Sequence, residues 1–146
     1  MPRARRARGL SPEGLMPDAN DIVTAFLAAY NRHDWQGAAA LYAPEATHHE
    51  AAMGKTRTGR AAIEAGLNGL AAMLPDVAWH ERERITSGPH LLLRYDLAGT
   101  FTPRAAADAT PRTVSLPGIL MFTLTGGRIA ATADYWDKEA FLARIR

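Results

Sequence analysis

A chain of 146 residues, 47% of them hydrophobic, suits one domain built around one core and gives no reason to look for a second. It has no cysteine, which excludes disulfides, thiolate nucleophiles and cysteine-ligated zinc or iron–sulfur centres. The formal charge is +2, but four arginines (Arg3, Arg5, Arg6, Arg8) against Glu13 put +3 in the first fifteen residues and leave −1 for the rest, so the basic balance belongs to a tail and does not argue for nucleic acid or an anionic membrane as a partner.

Residues 1–17 read as a disordered basic tail, and 18–146 as the single domain. The tail lacks the apolar run of about 7 to 15 residues that a secretory signal needs. Pro2, Pro12 and Pro17 work against the amphipathic helix of a transit peptide, and Met16 is an alternative start. No stretch reaches about 18 uninterrupted apolar residues, so no membrane span is expected and the cytoplasm is the default location.

From Asp21 to Arg32, the residues Ile22, Phe26, Ala29 and Tyr30 recur at helical spacing, Val23 and Leu27 widen the stripe, and Asn20 or Asp18 can cap the first turn. Asp34 can cap a second, shorter helix through Trp35, Ala38, Ala39, Leu41 and Tyr42, which Pro44 ends by forcing its predecessor out of helical geometry. Ala46 to Glu50 reads as a short strand and Gly54 to Gly59 as a loop. A third helix is predicted from about Arg60 to Leu74, with Ile63, Leu67, Leu70, Ala71 and Leu74 on its apolar face and Pro75 closing it.

From Val77 the apolar period drops from that of a helix to that of a strand. Val77 to Thr86 and Leu91 to Phe101 flank Ser87-Gly88-Pro89, while Thr113 to Leu124 and Arg128 to Asp137 flank Thr125-Gly126-Gly127, so each pair predicts an antiparallel hairpin. Thr102 to Pro111 is an alanine-rich loop between them, and Asp137 can cap a last helix over Lys138 to Arg146. Three helices followed by an antiparallel meander predict an α+β domain with helices across one side of a bent sheet.

Chemistry concentrates in the last predicted strand. Side chains alternate along a strand, so Ala130, Thr132, Asp134 and Trp136 share one face, and Ile129, Ala131, Ala133 and Tyr135 the other. A carboxylate kept from water beside a tryptophan has its pKa raised above about 3.9 and becomes able to exchange protons near neutrality. Asp137 is fully explained as a helix cap.

In this order the elements, with Phe26-Leu27-Ala28-Ala29-Tyr30-Asn31-Arg32-His33-Asp34, Leu41-Tyr42-Ala43-Pro44-Glu45-Ala46, Gly59-Arg60-Ala61-Ala62-Ile63, Pro75-Asp76-Val77, Leu93 to Thr100, Gly127-Arg128-Ile129 and Asp134-Tyr135-Trp136-Asp137, resemble the SnoaL-like family of the nuclear transport factor two-like superfamily. The resemblance implies a cone-shaped curved antiparallel sheet whose three N-terminal helices cover a deep pocket, and a homodimer paired through the outer face of the sheet. It implies no single reaction, since this scaffold carries several chemistries and also proteins without catalysis. For the SnoaL-type polyketide cyclases it implies an acid/base aspartate at Asp134, with Leu120 where those enzymes place a histidine. For the ketosteroid isomerases it implies a base at Glu50, but Phe26 and Leu120 replace the oxyanion donors, each worth about 3 to 4 kcal/mol. For the limonene epoxide hydrolases it implies Arg94 and Asp96 acting with Asp134, with His48 and Glu50 where that family positions water.

Read from the residues, Arg94 and Asp96 stay open. They are also what an outer-face ion pair looks like, because Leu91, Leu93, Tyr95 and Leu97 form the apolar side of that strand. His48 and Glu50 share one side of an extended segment and can relay protons. The run His48-His49-Glu50 lacks the helical spacing of a metal motif, so no metal and no cofactor are expected. Tyr42, Met53, Trp79, Trp136 and Phe26 are candidates to line a pocket for a small hydrophobic substrate, or to be core. The leading expectation is a cofactor-independent acid/base enzyme of the cyclase or isomerase type; epoxide hydrolysis and a non-catalytic binding or dimeric module are the alternatives.

Overall fold

The computed structural model describes residues 18–103 and 110–146. The predicted tail over residues 1–17, and the stretch 104–109 of the alanine-rich loop, lie outside the described residues. In chain order the elements are α1 (Ala19–Asn31), α2 (Trp35–Ala39), β1 (Tyr42–Glu50), a single 3-10 turn (Ala51–Met53), β2 (Lys55–Thr58), α3 (Arg60–Met73), β3 (Ala78–Ser87), β4 (His90–Phe101), β5 (Arg112–Thr125), β6 (Arg128–Trp136) and α4 (Lys138–Ile145). They form the predicted α+β architecture: one curved, open six-stranded sheet ordered β2-β1-β6-β5-β4-β3, covered by helices.

Three aspartates start helices by accepting a backbone N–H three residues on: Asp18 from Asp21, Asp34 from Gly37 and Asp137 from Ala140. Asp18, not Asn20, is therefore the cap of α1. This helix buries Ile22, Val23, Phe26, Leu27, Ala29 and Tyr30 and packs on β3 and β4. By contrast α3 fully buries only Ile63, while Leu67, Leu70 and Ala71 are half-buried, because its inner face looks onto cavities rather than onto solid core. Both predicted hairpins form, and Gly88, Gly126 and Gly127 supply φ values of +56°, +61° and +75° at their turns.

Four expectations are corrected. The second helix stops at Ala39 instead of reaching Tyr42: the Leu41 carbonyl accepts the N–H of Ile129, 3.0 Å away, and pulls the chain into the sheet. Pro44 then lies inside β1, where pairing with β6 is interrupted between Tyr42 and Thr47 and no ladder donor is required of it. The loop expected over Gly54 to Gly59 contains β2, paired antiparallel to β1 with Thr47 opposite Thr58 and Glu50 opposite Lys55. The sheet is mixed, since β1 runs parallel to β6 with Glu50 opposite Asp134. Finally, a register shift beside Leu124 turns Ile129 inward, onto the side of Thr132 and Asp134.

Candidate functional site

Asp134 is one of two buried polar side chains among the described residues, at 6% exposure; Thr132, one pleat earlier on the same strand, is the other. Its neighbours across the ladders are Glu50 on β1 and Leu120 on β5. Next along β5, Gly118 lies between Tyr95 on β4 and Trp136 on β6. A Cβ at Gly118 would stand 2.5 Å from Tyr95 Cζ and collide with its hydroxyl, so the missing side chain is what lets the Tyr95 ring lie across β5. From there Tyr95 Oη donates to Asp134 Oδ1 at 2.6 Å.

Burial pushes the Asp134 carboxyl up to about 7, and the nearby Glu50 charge adds to the rise; the Tyr95 hydroxyl and the Tyr135 N–H pull the other way by favouring the carboxylate. Tyr95 itself stays a phenol, its pKa raised by burial and by Asp134. Opposite them, Thr132 Oγ1 lies 2.7 Å from His48 Nδ1 and 2.9 Å from Tyr42 Oη, a chain of three exchangeable groups that is buried at Tyr42 and Thr132 and half-buried at His48. Burial and the positive charge of Arg57 lower His48 to about 4, so the imidazole is neutral at physiological pH. His48, Glu50 and Asp134 each offer an atom within 4.8 Å of the others, close enough to share a proton or a cation. The Arg57 charge that presses on His48 works against a second cation there.

Two cavities adjoin at this cluster. An inner chamber of about 60 Å³ is walled by Phe26, Tyr30, Tyr42, His48, Trp79 and Leu120, among others. An outer cavity of about 280 Å³ is walled mainly by Met53, Met73, Leu97, Leu116, Trp136 and Phe141. Glu50, Arg57, Gly66, Leu70 and Asp134 line both, which puts the acid in the wall shared by a small recess and a larger, greasier one. Helix α4 contributes Lys138, Phe141 and Leu142 to the outer cavity, with Phe141 set edge-on to Trp136 at 5.6 Å.

The structure thus brings together Asp134, His48 and Glu50 with Phe26, Tyr42 and Trp79 in the inner chamber, and Met53 and Trp136 at the outer one. It does not bring Arg94 and Asp96 there. Strand alternation turns both to the outer face, where Arg94 is exposed and Asp96 pairs with Arg82 at 2.5 Å. The inward residue of that tripeptide is Tyr95, on the apolar side of the strand with Leu91, Leu93 and Leu97. A phenol among leucines on a buried face was the available signal, since buried Tyr hydroxyls find partners. Thr132 and Arg57 were also not singled out.

Residues 23–132 match the family model described as a SnoaL-like domain. No curated protein matches the chain by sequence. Among solved structures, a candidate polyketide cyclase from Xanthomonas campestris pv. campestris is 25% identical, with a TM-score of 0.74 over 88% of this chain and 96% of that one. A hypothetical protein of ketosteroid isomerase-like fold from Catenulispora acidiphila, in complex with trimethylamine, is 24% identical, with a TM-score of 0.75 over 88% and 94%. IdmH, a candidate polyketide cyclase from Streptomyces antibioticus, is 21% identical, with a TM-score of 0.75 over 86% and 96%.

Proposed function

Because the chain belongs to the SnoaL-like family, we propose that it is a cofactor-independent cytoplasmic enzyme of the cyclase or isomerase type, acting by acid/base catalysis on a small hydrophobic oxygenated molecule, with Asp134 moving the proton. One observation carries this reading: a carboxyl with a pKa of about 7, buried in the wall between two cavities and oriented by Tyr95. Such a group is about half ionised at neutral pH, so it can take a proton from carbon and give it back later in the same turnover. The larger cavity receives the hydrophobic body of the substrate. Epoxide hydrolysis is not carried forward, because two of its three groups, Arg94 and Asp96, face away from the cavities.

The test is solvent deuterium exchange into the α-carbons of a panel of one- to three-ring ketones, 2-tetralone among them, followed by NMR. Exchange above the buffer rate that collapses in Asp134→Asn supports the reading. Wild-type protein that binds such ketones without exchanging them, with affinity indifferent to Asp134→Asn, supports a binding module instead. The same reading includes a homodimer paired through the outer sheet face, where Ile85, Leu92, Ile119 and Tyr135 are exposed on neighbouring strands. Light scattering distinguishes twice 15.8 kDa from 15.8 kDa.

A further inference from the structure

Arg57 brings an unpaired cation to both cavities. It stands on β2 directly opposite His48 on β1, so the two share a face of the sheet, and its side chain lines the inner chamber and the outer cavity alike. Among the described residues it forms no ion pair, and of the donors a guanidinium carries it uses one, on the Ala62 carbonyl at a long 3.4 Å. Arg60, by contrast, is committed to the Tyr42 carbonyl at 2.7 Å. Nor is Arg57 the counter-charge of the acid. Burial, Tyr95, Glu50 and the Tyr135 N–H set the proton affinity of Asp134, while the arginine's charge is felt at His48.

Helix α3 is shaped around this side chain. A Cβ at Gly66 would stand 2.7 Å from Arg57 Nε and 2.9 Å from its Cδ. The glycine, an unfavourable residue inside a helix, is therefore what lets the guanidinium lie against α3 in the wall the two cavities share. Gly69, one turn on, lines the outer cavity, and a Cβ there would meet nothing within 4 Å, so the helix face next to the arginine opens on empty space. Other unmet donors differ in this respect. Tyr30 Oη and Trp79 Nε1, in the wall of the inner chamber, also lack partners among the described residues, but both atoms are closed off and offer no surface to a ligand. Arg57 is half-buried and reachable from the outer cavity. Lys138, the other cation lining that cavity, is an exposed point charge on a flexible stem.

We propose that Arg57 anchors a permanent carboxylate on the ligand, which makes the substrate a hydrophobic carboxylic acid. A planar guanidinium holds a carboxylate through two parallel N–H···O bonds. A dianionic phosphate fits less well: Glu50 and Asp134 line the same wall, and its second negative charge meets them without a second fixed cation. The apolar body lies in the outer cavity among Leu97, Leu116, Trp136 and Phe141. Since β1 separates β2 from β6, the strands that carry Arg57 and Asp134 stand about 10 Å apart, and one molecule presents its charged end to the arginine and its reacting carbon to the acid. Charge at one end fixes which carbon of an otherwise featureless ring system faces Asp134. The anchor rests on the acid/base reading of Asp134 for the reaction that follows, and not for the binding itself.

The experiment compares, at pH 7, the affinity of 2-naphthoate with that of 2-acetylnaphthalene, in which a methyl group replaces the charged oxygen. Wild-type protein is expected to prefer the naphthoate by about tenfold. Arg57→Gln brings the two within about twofold by losing naphthoate alone, and Arg57→Lys, which keeps the charge but not the fork, retains part of the preference. Gly66→Ala keeps the cation but displaces it, so it weakens naphthoate more than acetylnaphthalene while melting no lower than wild type. In wild-type protein the Arg57 Nε–H resonance moves downfield with 2-naphthoate and not with 2-acetylnaphthalene. Equal affinities in wild type, a preference that survives Arg57→Gln, one that Lys138→Gln removes as fully, or tighter binding of 2-naphthyl phosphate than of 2-naphthoate overturns the proposal. Failure of the acid/base reading looks different: ketone exchange indifferent to Asp134→Asn, with the naphthoate preference intact.

Discussion

Replacing Tyr95 by Phe removes one hydroxyl and leaves a ring that can keep its 4.7 Å stack on Trp79, while Asp134 Oδ1 loses the donor 2.6 Å away. That bond favours the ionised carboxyl, so its loss moves Asp134 further up from about 7. A hydrogen bond to a charged acceptor is worth about 1.5 to 3 kcal/mol, and about 1.4 kcal/mol corresponds to one pKa unit, which makes the rise about one to two units. With the carboxylate as the active base, the ionised fraction at pH 7 falls from about one half to between about a tenth and a hundredth, so turnover falls about 5- to 50-fold. The rate returns as the pH is raised. The assay is the pH profile of kcat/KM for ketone deuterium exchange, read beside the ¹³C chemical shift of the Asp134 carboxyl. An acid limb that stays in place or moves down refutes the reasoning, and a loss equal at every pH assigns Tyr95 to substrate placement instead.

Folding raises Asp134 above its ordinary 3.8, so the stability it contributes is complete below about pH 4 and is lost as the pH rises through about 7, by about 4 kcal/mol. Asp134→Asn escapes that loss and is expected to melt above wild type at pH 8 but not at pH 4. His48 runs in the opposite sense: lowered from 6.5 to about 4, it contributes stability that is complete above pH 6.5 and lost as the pH falls through about 4, by up to about 3 kcal/mol. His48→Gln should therefore flatten the acid side of a plot of urea midpoint against pH, and an unchanged slope counts against a buried neutral imidazole. Gly118→Ala forces its Cβ onto the Tyr95 ring, so we expect a loss of about 1 to 3 kcal/mol in denaturant titration together with the same upward limb as Tyr95→Phe. A wild-type limb in the alanine variant would separate Gly118 from the acid. Asp96→Ala removes only a partly exposed ion pair with Arg82; exchange within about twofold of wild type and a stability change of about 0 to 1 kcal/mol are expected, and a collapse in rate would return Asp96 to the site.

What could be read from residues was what local physics decides. The stripe Ile22, Phe26, Ala29, Tyr30 has a period only a helix satisfies, and Gly126-Gly127 supplies the positive φ values a tight hairpin requires. The burial of Asp134 was legible for the same reason, as one acid among apolar strand neighbours. The misses come from pairing between distant segments. Lys55-Thr56-Arg57-Thr58 has no apolar alternation, and β1 on its one side is what makes it a strand. Tyr42 leaves the helical pattern because Ile129, far along the chain, bonds the preceding carbonyl. Arg94, Tyr95 and Asp96 had the right residues for two different sites, and the face of β4 that carries Leu91 and Leu93 inward decided between them. The unmet donors on Tyr30 and on the pocket candidate Trp79 were hidden for another reason: an unmet donor is a statement about every atom around it, and no single segment contains that information.

The strand order has a consequence for how this protein comes into being. Lying between β1 and β5, β6 joins two halves that otherwise share no ladder: the β1–β2 hairpin with His48 and Glu50, and the β3–β4–β5 meander with Tyr95 and Gly118. Synthesis delivers that joining strand after both halves, and its pairing with β1 across so many intervening residues is slow to form. Until then a nascent chain carries most of the inner chamber's walls, Phe26, Tyr42, His48 and Trp79 among them, without the acid that they enclose. Completing the sheet and burying its acid are a single late event.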